Sequence, residues 1–449
     1  MSFPRYESYK DSGIEWLGEV PEHWEVKRLR FATQLNPSKG EVAELDRETE
    51  VSFLPMEAVG DDGSLNLDRI RVIGDVETGY TYFREGDVTI AKITPCFENG
   101  KGAIMRGLLG GIGFGTTELI VARPIPSKTT SSYLHWLFTS TPFRKRGEAS
   151  MYGAGGQKRV PDDFVRNFAI GFPPIQEQSV ITAFLDRETT KIDALIVEQR
   201  RLVELLKEKR QAVISQAVTK GLNPDAPMKD SGIEWLGEVP EHWEVTRLGN
   251  LFKETSENGN DDLPVLSVSI HHGVSDKELN ESELDRKVTR SEDRSIYKRV
   301  LPGDLAYNMM RAWQGGFGAV MVEGQVSPAY VVARPLREVY TAFIEQILRS
   351  PTAVEEMRRL SYGVTDFRLR LYWEKFKTIV IALPSVLEQR SIMDSVKEQT
   401  DRLDALTAEA QTAITLLQER RTALISAAVT GKIDVRGLVE AQPEREAAA

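Results

Sequence analysis

The chain has 449 residues, of which 41% are apolar and 28% charged, and its formal net charge is −10 at pH 7. That length gives room for two to four domains, and the composition is ordinary for a globular protein. There is no apolar run of the roughly 18 residues that a membrane span needs and no secretory pattern, so we expect a cytoplasmic protein. The single cysteine excludes an internal disulfide framework, and the acidic balance argues against nucleic acid wrapping the whole surface.

The first element in chain order is a seventeen-residue sequence that occurs twice. KDSGIEWLGEVPEHWEV stands at 10–26 and again at 229–245 without a change. Chance does not produce a repeat of this length, so the chain contains one structural unit twice.

A block of about 140 residues follows each copy, and the two blocks share only short matches. REGDVTIAKI (84–93) corresponds to LPGDLAYNMM (301–310), and LIVARP (119–124) corresponds to YVVARP (330–335). Apolar runs between glycine turns predict mixed structure in both blocks. The predicted strands are DVTIAKI, TELIVARP, AVMVEG and AYVVARP, the predicted helices lie around Ser132–Ser140 and Ala342–Ser350, and GIGFG (111–115) is predicted to be a turn rather than a dinucleotide loop.

A long helix is predicted after each block, just beyond Pro174 and Pro384. Roughly 40 residues make a rod of about 60 Å, and two such rods with matching apolar stripes can bury each other as an antiparallel coil. A pair of core helices in one large domain is the alternative, and Thr190 is a candidate cap where the first helix restarts. The predicted stripes are Ile181, Leu185, Ile192, Leu195, Leu202, Leu206 and Val213 in the first helix, and Ile392, Val396, Leu403, Leu406, Leu417 and Leu424 in the second.

No catalytic constellation is recognisable. The phosphate-binding GxxxxGK[ST] pattern is absent, and so is the Asn/Asp-Pro-Pro-aromatic pattern of adenine methyltransferases. PDDF (161–164) lacks the Glu-x-Lys partner of a nuclease, and His271 and His272 lack a third metal ligand. We therefore expect a protein that is not an enzyme and that binds neither metal nor cofactor.

Each block carries loops that are rich in basic, aromatic and amide side chains. Basic side chains on a glycine-rich backbone are suited to contacts with phosphates, and arginine or amide side chains are suited to hydrogen bonds with base edges. As alternatives, the basic run at 144–146 is a solvated helix end and Trp313 is a core residue. The candidate DNA-binding residues are Lys92, Asn99, Lys101, Arg144, Lys145, Arg146, Tyr152, Gln157, Lys158 and Arg159 in the first block, and Asn308, Arg311, Trp313, Gln314, Tyr362, Arg368, Arg370 and Tyr372 in the second.

With these motifs, the sequence resembles a specificity subunit of a type I restriction-modification system. The resemblance extends from Tyr9 to about Lys432. The motifs that carry it are the doubled seventeen-residue sequence, the helix entries PPIQEQ (173–178) and PSVLEQ (384–389), and the helix ends ISQAVTKG and ISAAVTGK. TPCFENGK with GFGTTELIVARP, and PGDLAYNMMRAWQGGFG with SPAYVVARP, resemble two classes of target-recognition domain.

The resemblance implies an α+β fold, with two pseudo-twofold-related mixed α/β target-recognition domains separated by two long antiparallel helices that form a coiled-coil spacer. The predicted boundaries are an entry segment with the first recognition domain at 1–174, a spacer helix at 175–222, a second entry with the second recognition domain at 223–385, a second spacer helix at 386–433 and a disordered tail at 434–449.

The resemblance also implies function and partners. Each block would bind half of a bipartite, asymmetric site in double-stranded DNA, two modification subunits would dock on the repeated regions, and two restriction subunits would join the complex. S-adenosylmethionine, ATP and Mg²⁺ would be bound by those subunits. The alternative is a scaffold that docks two copies of a partner protein and no DNA. The candidate docking residues are Trp16, Leu17, His23, Trp24, Trp235, Leu236, His242 and Trp243.

The repeat makes one prediction about packing. The second copy of the seventeen-residue sequence directly follows the first helix. By pseudo-twofold symmetry, Trp16 and Trp24 should lie near residues 416–432, as Trp235 and Trp243 should lie near 205–221.

Overall fold

The chain divides into two compact units in a computed structural model. The first unit consists of Met1–Gln199 and Thr412–Ala449, and the second of Arg200–Gln411, so each long helix begins in one unit and ends in the other. The structure describes residues 3–154, 156–280, 296–363 and 369–439.

The first unit has an antiparallel framework that packs on the beginning of a long helix. The entry segment forms the hairpin β1–β2, and β3 pairs with β12. The block between them contains the sheet β4-β11-β8-β9 and a second sheet β6-β5-β10-β7, in which β5 and β10 are parallel. The elements are β1 (Tyr9–Asp11), β2 (Glu19–Pro21), β3 (Glu25–Arg28), β4 (Thr33–Leu35), β5 (Glu50–Leu54), β6 (Ile70–Val72), α1 (Ile73–Val76), β7 (Thr81–Arg84), β8 (Val88–Ala91), β9 (Gly102–Ile104), β10 (Ile112–Gly115), β11 (Leu119–Pro124), α2 (Ser131–Thr139), α3 (Thr141–Ala149), α4 (Asp162–Asn167), β12 (Ala169–Phe172) and α5 (Ile175–Lys220).

The second unit repeats this framework with a different insertion. Hairpin β13–β14 and pair β15–β24 take the places of β1–β2 and β3–β12, and the sheet β16-β23-β20-β21 takes the place of β4-β11-β8-β9. The insertion contributes the short pairs β17–β18 and β19–β22. The elements are β13 (Met228–Asp230), β14 (Glu238–Pro240), β15 (Glu244–Arg247), α6 (Leu248–Leu251), β16 (Phe252–Thr255), β17 (Val268–Ser269), β18 (Gly273–Val274), β19 (Lys298–Val300), β20 (Leu305–Asn308), β21 (Phe317–Ala319), β22 (Gly324–Val326), β23 (Tyr330–Pro335), α7 (Thr341–Leu348), α8 (Pro351–Leu360), α9 (Trp373–Phe376), β24 (Val380–Leu383) and α10 (Val386–Val429).

A buried ion pair explains why the two blocks share Gly-Asp and Val-Ala-Arg-Pro. In the first unit, Nε and Nη2 of Arg123 on β11 donate to the two carboxylate oxygens of Asp87, at 2.8 and 2.9 Å. Arg334 on β23 donates in the same way to Asp304, at 3.1 Å for each bond. A bidentate arginine–carboxylate pair fixes both position and angle, and removal of one partner would leave a buried charge. These shared residues therefore hold the common sheet together.

The long helices pack antiparallel within each unit, as predicted. In the first unit Arg421 Nε lies 2.9 Å from Asp193 Oδ1, and in the second Arg210 Nε lies 2.9 Å from Asp404 Oδ1. The two pairs are equivalent, because the offset of 211 residues relates both the aspartates and the arginines.

The buried stripe of the helices differs in part from the predicted one. Most of the predicted positions are buried or half-buried, but Leu195 and Leu406 are about half exposed. Ile196 and Ala410 are buried on the adjacent face instead. Heptad spacing alone does not show which of two neighbouring faces of a helix is buried, because that depends on the contacts with the other long helix. Leu202 is likewise exposed while Val203 is buried.

Three local predictions were wrong. GIGFG is strand β10, because its backbone pairs with β5 and β7. AVMVEG is mainly the connection between β21 and β22, not a strand. Thr190 neither caps nor interrupts α5, which continues for 46 residues.

The entry segments attach to the helices through equivalent glutamates, of which Glu177 is buried and Glu388 is half-buried. Glu177 Oε1 accepts a hydrogen bond from the indole Nε1 of Trp24 at 3.0 Å, and Glu177 Oε2 lies 2.7 Å from His23 Nε2. In the second unit Glu388 takes the same place, 3.1 Å from Trp243 Nε1 and 3.0 Å from the ring of His242. The repeated sequence is thus retained in both copies by the same contacts to its own helix-entry motif, Glu-Gln.

The packing prediction is confirmed for Trp24 and Trp243. Gly431 and Gly221 follow the two helix ends with positive φ, which is typical of a glycine C-cap. A Cβ atom at Gly431 would lie 3.2 Å from the Trp24 ring, and one at Gly221 would lie 3.5 Å from the Trp243 ring.

The ring of Trp16 lies 5.4 Å from that of Phe168 with Arg146 stacked over it, and its proximity to residues 416–432 stays a prediction. Trp235 lines a surface cleft with Pro351 and Val380, and its proximity to residues 205–221 likewise stays a prediction.

The predicted disordered tail begins too early in the sequence. Asp434 N–H donates to Pro4 O at 2.8 Å, and Val435 is fully buried in the core of the first unit. Arg187 donates to Leu438 O at 3.0 Å. Residues 434–439 are therefore ordered, and the remainder of the tail lies outside the described residues.

Candidate nucleic-acid interface

In the first unit, an arginine side chain holds the backbone of the loop at 94–102 by two hydrogen bonds. Arg144 on α3 donates from Nη1 to Phe97 O at 2.8 Å and from Nη2 to Gly100 O at 3.1 Å. Burial lowers the pKa of Arg144 to about 10, which still leaves it charged at neutral pH. The prediction that Arg144 reaches DNA is wrong for this conformation, because its guanidinium group fixes the loop.

A glycine-rich hairpin lies beside this loop. Tyr152 and Arg159 exchange two backbone hydrogen bonds of 3.1 and 2.9 Å, and Thr94 N–H donates to Lys158 O at 2.9 Å. The hairpin and the loop therefore form one surface. Tyr152 is 64% exposed on it, and Gln157 and Lys158 are exposed as well.

Some of the cations predicted for this surface already have a partner in the structure, and others have no ion pair among the described residues. Arg159 forms a bidentate pair with Glu118, and this hydrogen bonding lowers the pKa of the glutamate. Lys92 lies 4.0 Å from Asp162, and Lys101 donates to a backbone oxygen. No ion pair is found for Lys145 or Lys158 within the described ranges, and Asn99 is also exposed. Arg146 is half-buried over Trp16.

The second unit has a loop at the same place, directly after β20. Asn308 is buried, and its Oδ1 accepts from Met310 N–H at 3.0 Å, so the prediction that it reads a base is wrong for this conformation. Trp313 is half-buried, and its indole Nε1 is shielded from solvent without a hydrogen-bond partner among the described residues. Arg311 is half-exposed, Gln314 is exposed, and the described part of the chain offers Arg311 no ion pair.

A hairpin again lies beside the loop. Tyr362 and Arg370 exchange backbone hydrogen bonds of 3.2 and 3.1 Å, and Leu371 N–H donates to Met309 O at 2.9 Å. The rings of Tyr362 and Tyr372 stack with centroids 5.1 Å apart, and Tyr362 is 55% exposed. Arg370 is exposed. The predicted Arg368 lies outside the described residues.

In both units the structure therefore brings together the two loops that the sequence suggested. Each surface presents an exposed tyrosine, a glycine-rich turn and at least one cation without an ion pair among the described residues. The surrounding side chains differ between the units, while the backbone framework is the same. Such an arrangement can contact phosphates and base edges, and it can do so differently in each unit.

The predicted docking residues need a correction. Trp24, Leu17, Trp243 and Leu236 are buried core residues within their units, so they cannot contact a partner directly. The exposed or half-exposed members of the set are Trp16, His23, Trp235 and His242.

Sequence reasoning missed a second basic cluster in the first unit. Arg28, Arg30, Phe31 and Lys128 are exposed around the β3–β12 pair. The run KRLRF at 27–31 was a signal for it, but Lys128 joins the cluster only through the fold.

Within the residues that the structure describes, no group of three or more metal-ligating side chains occurs, and no helix is long and apolar enough to cross a membrane.

The comparison with family models gives no match. Two curated proteins of Escherichia coli are similar in sequence. The EcoAI specificity subunit of a type I restriction enzyme is 46% identical over 189 residues, and the EcoEI specificity subunit is 44% identical over 189 residues. Each match covers 42% of this chain and 31% of the relative.

A third relative, the putative MjaX specificity subunit of Methanocaldococcus jannaschii, is 25% identical over 257 residues, with 56% of this chain and 57% of the relative covered.

Two solved structures are similar in fold. One is a chain from a study of complex assembly and conformational transition of the type I restriction-modification system, with a TM-score of 0.68, 16% identity and coverage of 94% of this chain and 99% of that one. The other is the HsdS subunit of Thermoanaerobacter tengcongensis, with a TM-score of 0.58, 17% identity and coverage of 92% and 98%. The resemblance drawn from the motifs is thus confirmed, and in sequence and in fold this chain is similar to the specificity subunits of type I restriction enzymes.

Proposed function

We propose that this chain is the DNA-specificity subunit of a type I restriction-modification complex. Each unit would read one half of a bipartite, asymmetric site in double-stranded DNA through its loop-and-hairpin surface. The observation that carries the proposal is the repeated surface itself, which keeps one backbone arrangement and one exposed tyrosine but changes the neighbouring side chains. Two readers of unlike half-sites need this combination.

The chain would not be catalytic. Two modification subunits that bind S-adenosylmethionine would methylate adenine, and restriction subunits would add chemistry that depends on ATP and Mg²⁺. Methylation within a duplex requires the base to leave the stack, so this chain would position a pocket that the modification subunit supplies. Trp16 and Trp235, the half-exposed tryptophans of the entry segments, are the candidates for contact with those subunits.

The test is to co-express the chain with its partner methyltransferase and to map methylated adenines by long-read sequencing. A bipartite motif with two different halves is the expected result. Methylation without a motif, or no methylation by an assembled complex, would contradict the proposal. Assembly of the complex without any DNA binding would instead support the scaffold alternative.

A further inference from the structure

Two arginines of the first unit converge on one neutral oxygen. Arg28 Nη1 lies 3.3 Å from Asn167 Oδ1, and Arg30 Nη1 lies 3.1 Å from the same atom. No carboxylate forms an ion pair with either arginine within the described residues, and both side chains are exposed. Because two like charges held side by side repel each other, the pair adds little to the stability of the fold, and a bound anion would relieve the repulsion.

Arg28 lines an open cleft of about 650 Å³ between β3, β12 and Phe31, and Arg30 lies against the Phe31 ring. Lys128 also lines the cleft, and the only carboxylate in its lining, Glu25, is paired with Lys27 at 2.7 Å. The exposed ring of Phe31 lies 5.0 Å from the guanidinium group of Arg30 and restricts its position. The cleft therefore has a net positive lining in a chain that is acidic as a whole.

Helix α4 connects this cluster to the recognition hairpin. Its last residue, Asn167, contacts the arginines, and its first residue, Asp162, lies 4.0 Å from Lys92 beside the hairpin. A helix of six residues is about 9 Å long. The cluster and the hairpin are thus about 9 Å apart along α4, whose first turn carries the carboxylates of Asp162 and Asp163.

The second unit provides an internal comparison. Arg247 occupies the position of Arg28, but Gly249 and Asn250 stand in place of Arg30 and Phe31, and Thr378 stands in place of Asn167. The convergent pair is therefore a feature of the first unit and not of the repeated framework.

We infer that Arg28, Arg30 and Lys128 bind the phosphate backbone of duplex DNA beside the half-site that the first unit would read. This inference rests on the proposed function. The partner is DNA rather than an acidic protein because the cluster lies only about 9 Å along α4 from the recognition hairpin. The contacts would add affinity and salt dependence without any sequence preference.

The experiment uses the assembled complex with its modification subunits and a duplex that carries its mapped motif. Binding constants are measured over a salt series for wild type, for R28Q/R30Q and for R28K/R30K, with R247Q as the matched variant of the second unit. The neutral double variant is expected to lower the slope of log K against log salt by about 1.8, since each phosphate contact contributes roughly 0.9. R28K/R30K keeps the slope, R247Q leaves it unchanged, and the methylated motif stays the same in all three.

An unchanged slope for R28Q/R30Q in a complex that still binds its motif would overturn the inference while leaving the proposed function intact. Loss of assembly in R28Q/R30Q but not in R28K/R30K would assign the cluster to a protein partner and would also overturn it. An equal loss per charge in R247Q would show a general charge effect rather than a built site. Failure of the wild-type complex to bind any motif would instead count against the proposed function.

Discussion

At the scale of single residues, buried polar groups decide how the repeated sequence attaches to its helix. Glu177 is 7% exposed, and besides Trp24 and His23 it accepts a hydrogen bond of 2.7 Å from Tyr6. Glu388 is 32% exposed and has no such tyrosine, because Asp225 stands at that place. The two equivalent glutamates therefore differ in their burial and in the number of hydrogen bonds that they accept.

Substitution of Glu177 by leucine should lower the free energy of unfolding of the first unit by about 2–4 kcal/mol, because buried donors lose their acceptor. Glu388→Leu is the matched control and should cost the second unit less, since water can replace part of the lost bonding. Urea unfolding followed by tryptophan fluorescence measures both losses. Equal losses would contradict the unequal burial.

A pH dependence is expected from His135 on α2. Burial, together with the charge of Arg144, lowers the pKa of His135 to about 4, whereas the unfolded chain titrates near 6.5. Below pH 6.5 the unfolded state therefore binds a proton that the folded state does not, and stability falls as the pH is lowered towards 4. The contribution is fully present above pH 6.5.

The expected loss from this histidine is about 1.4 kcal/mol between pH 7.5 and pH 5.5. His135→Leu should remove that part of the pH dependence, which urea unfolding at the two pH values measures. An unchanged pH dependence in His135→Leu would assign the effect to other groups.

A specificity prediction at this scale concerns Arg311. The side chain is half-exposed in the second loop and has no ion pair among the described residues. If it reads guanine, Arg311→Ala should relax one base position of the methylated motif, at a cost of about 1–3 kcal/mol. Methylation mapping of the co-expressed complex measures this. A uniform loss across all sequences would assign Arg311 to a phosphate.

At the scale of elements, the long helices are aligned by two equivalent ion pairs. Both pairs are partly exposed, so each contributes modestly to stability. Both pairs form in the observed register of the two helices, so they favour that register.

The double variant R210D/D404R should recover most of the stability that each single variant loses, with a coupling energy of about 0.3–1 kcal/mol. A double-mutant cycle by urea unfolding measures this coupling, and R421D/D193R in the first unit is the equivalent cycle. Additive losses in both cycles would show that the pairs do not interact.

At the scale of the whole molecule, the repeated elements frame the variable ones. β3 and β12 pair at the two ends of the first block, and β15 and β24 pair at the two ends of the second. Each block therefore leaves and re-enters the framework at adjacent strands, which suits exchange of a block as a unit.

Replacement of residues 27–172 by another recognition block should change one half of the methylated motif and leave the other half unchanged. The expected outcome follows from the separate cores of the two units. Methylation mapping of the chimaera against the parent chain measures it, and a change in both halves would contradict the two-reader arrangement.

The sequence by itself determined the repeat, the two long helices, the common strands and the positions of the loops on the two candidate surfaces. These features have local signals: identity between copies, heptad spacing, apolar runs and glycine-rich basic loops. The helix entries after Pro174 and Pro384 are an example, since α5 and α10 begin one and two residues later.

Only the tertiary structure decided which of the candidate side chains are exposed and which of them come together. Arg144 and Asn308 have the residue types of DNA readers, but Arg144 donates to the backbone of the 94–102 loop, and Asn308 is buried and accepts from Met310 N–H. Leu195 and Ile196 are equally apolar, and the partner helix selects Ile196. Arg28 and Arg30 are close in sequence, but their convergence depends on Asn167, far along the chain. Burial and convergence depend on contacts between distant residues, and local sequence patterns carry no direct record of these contacts.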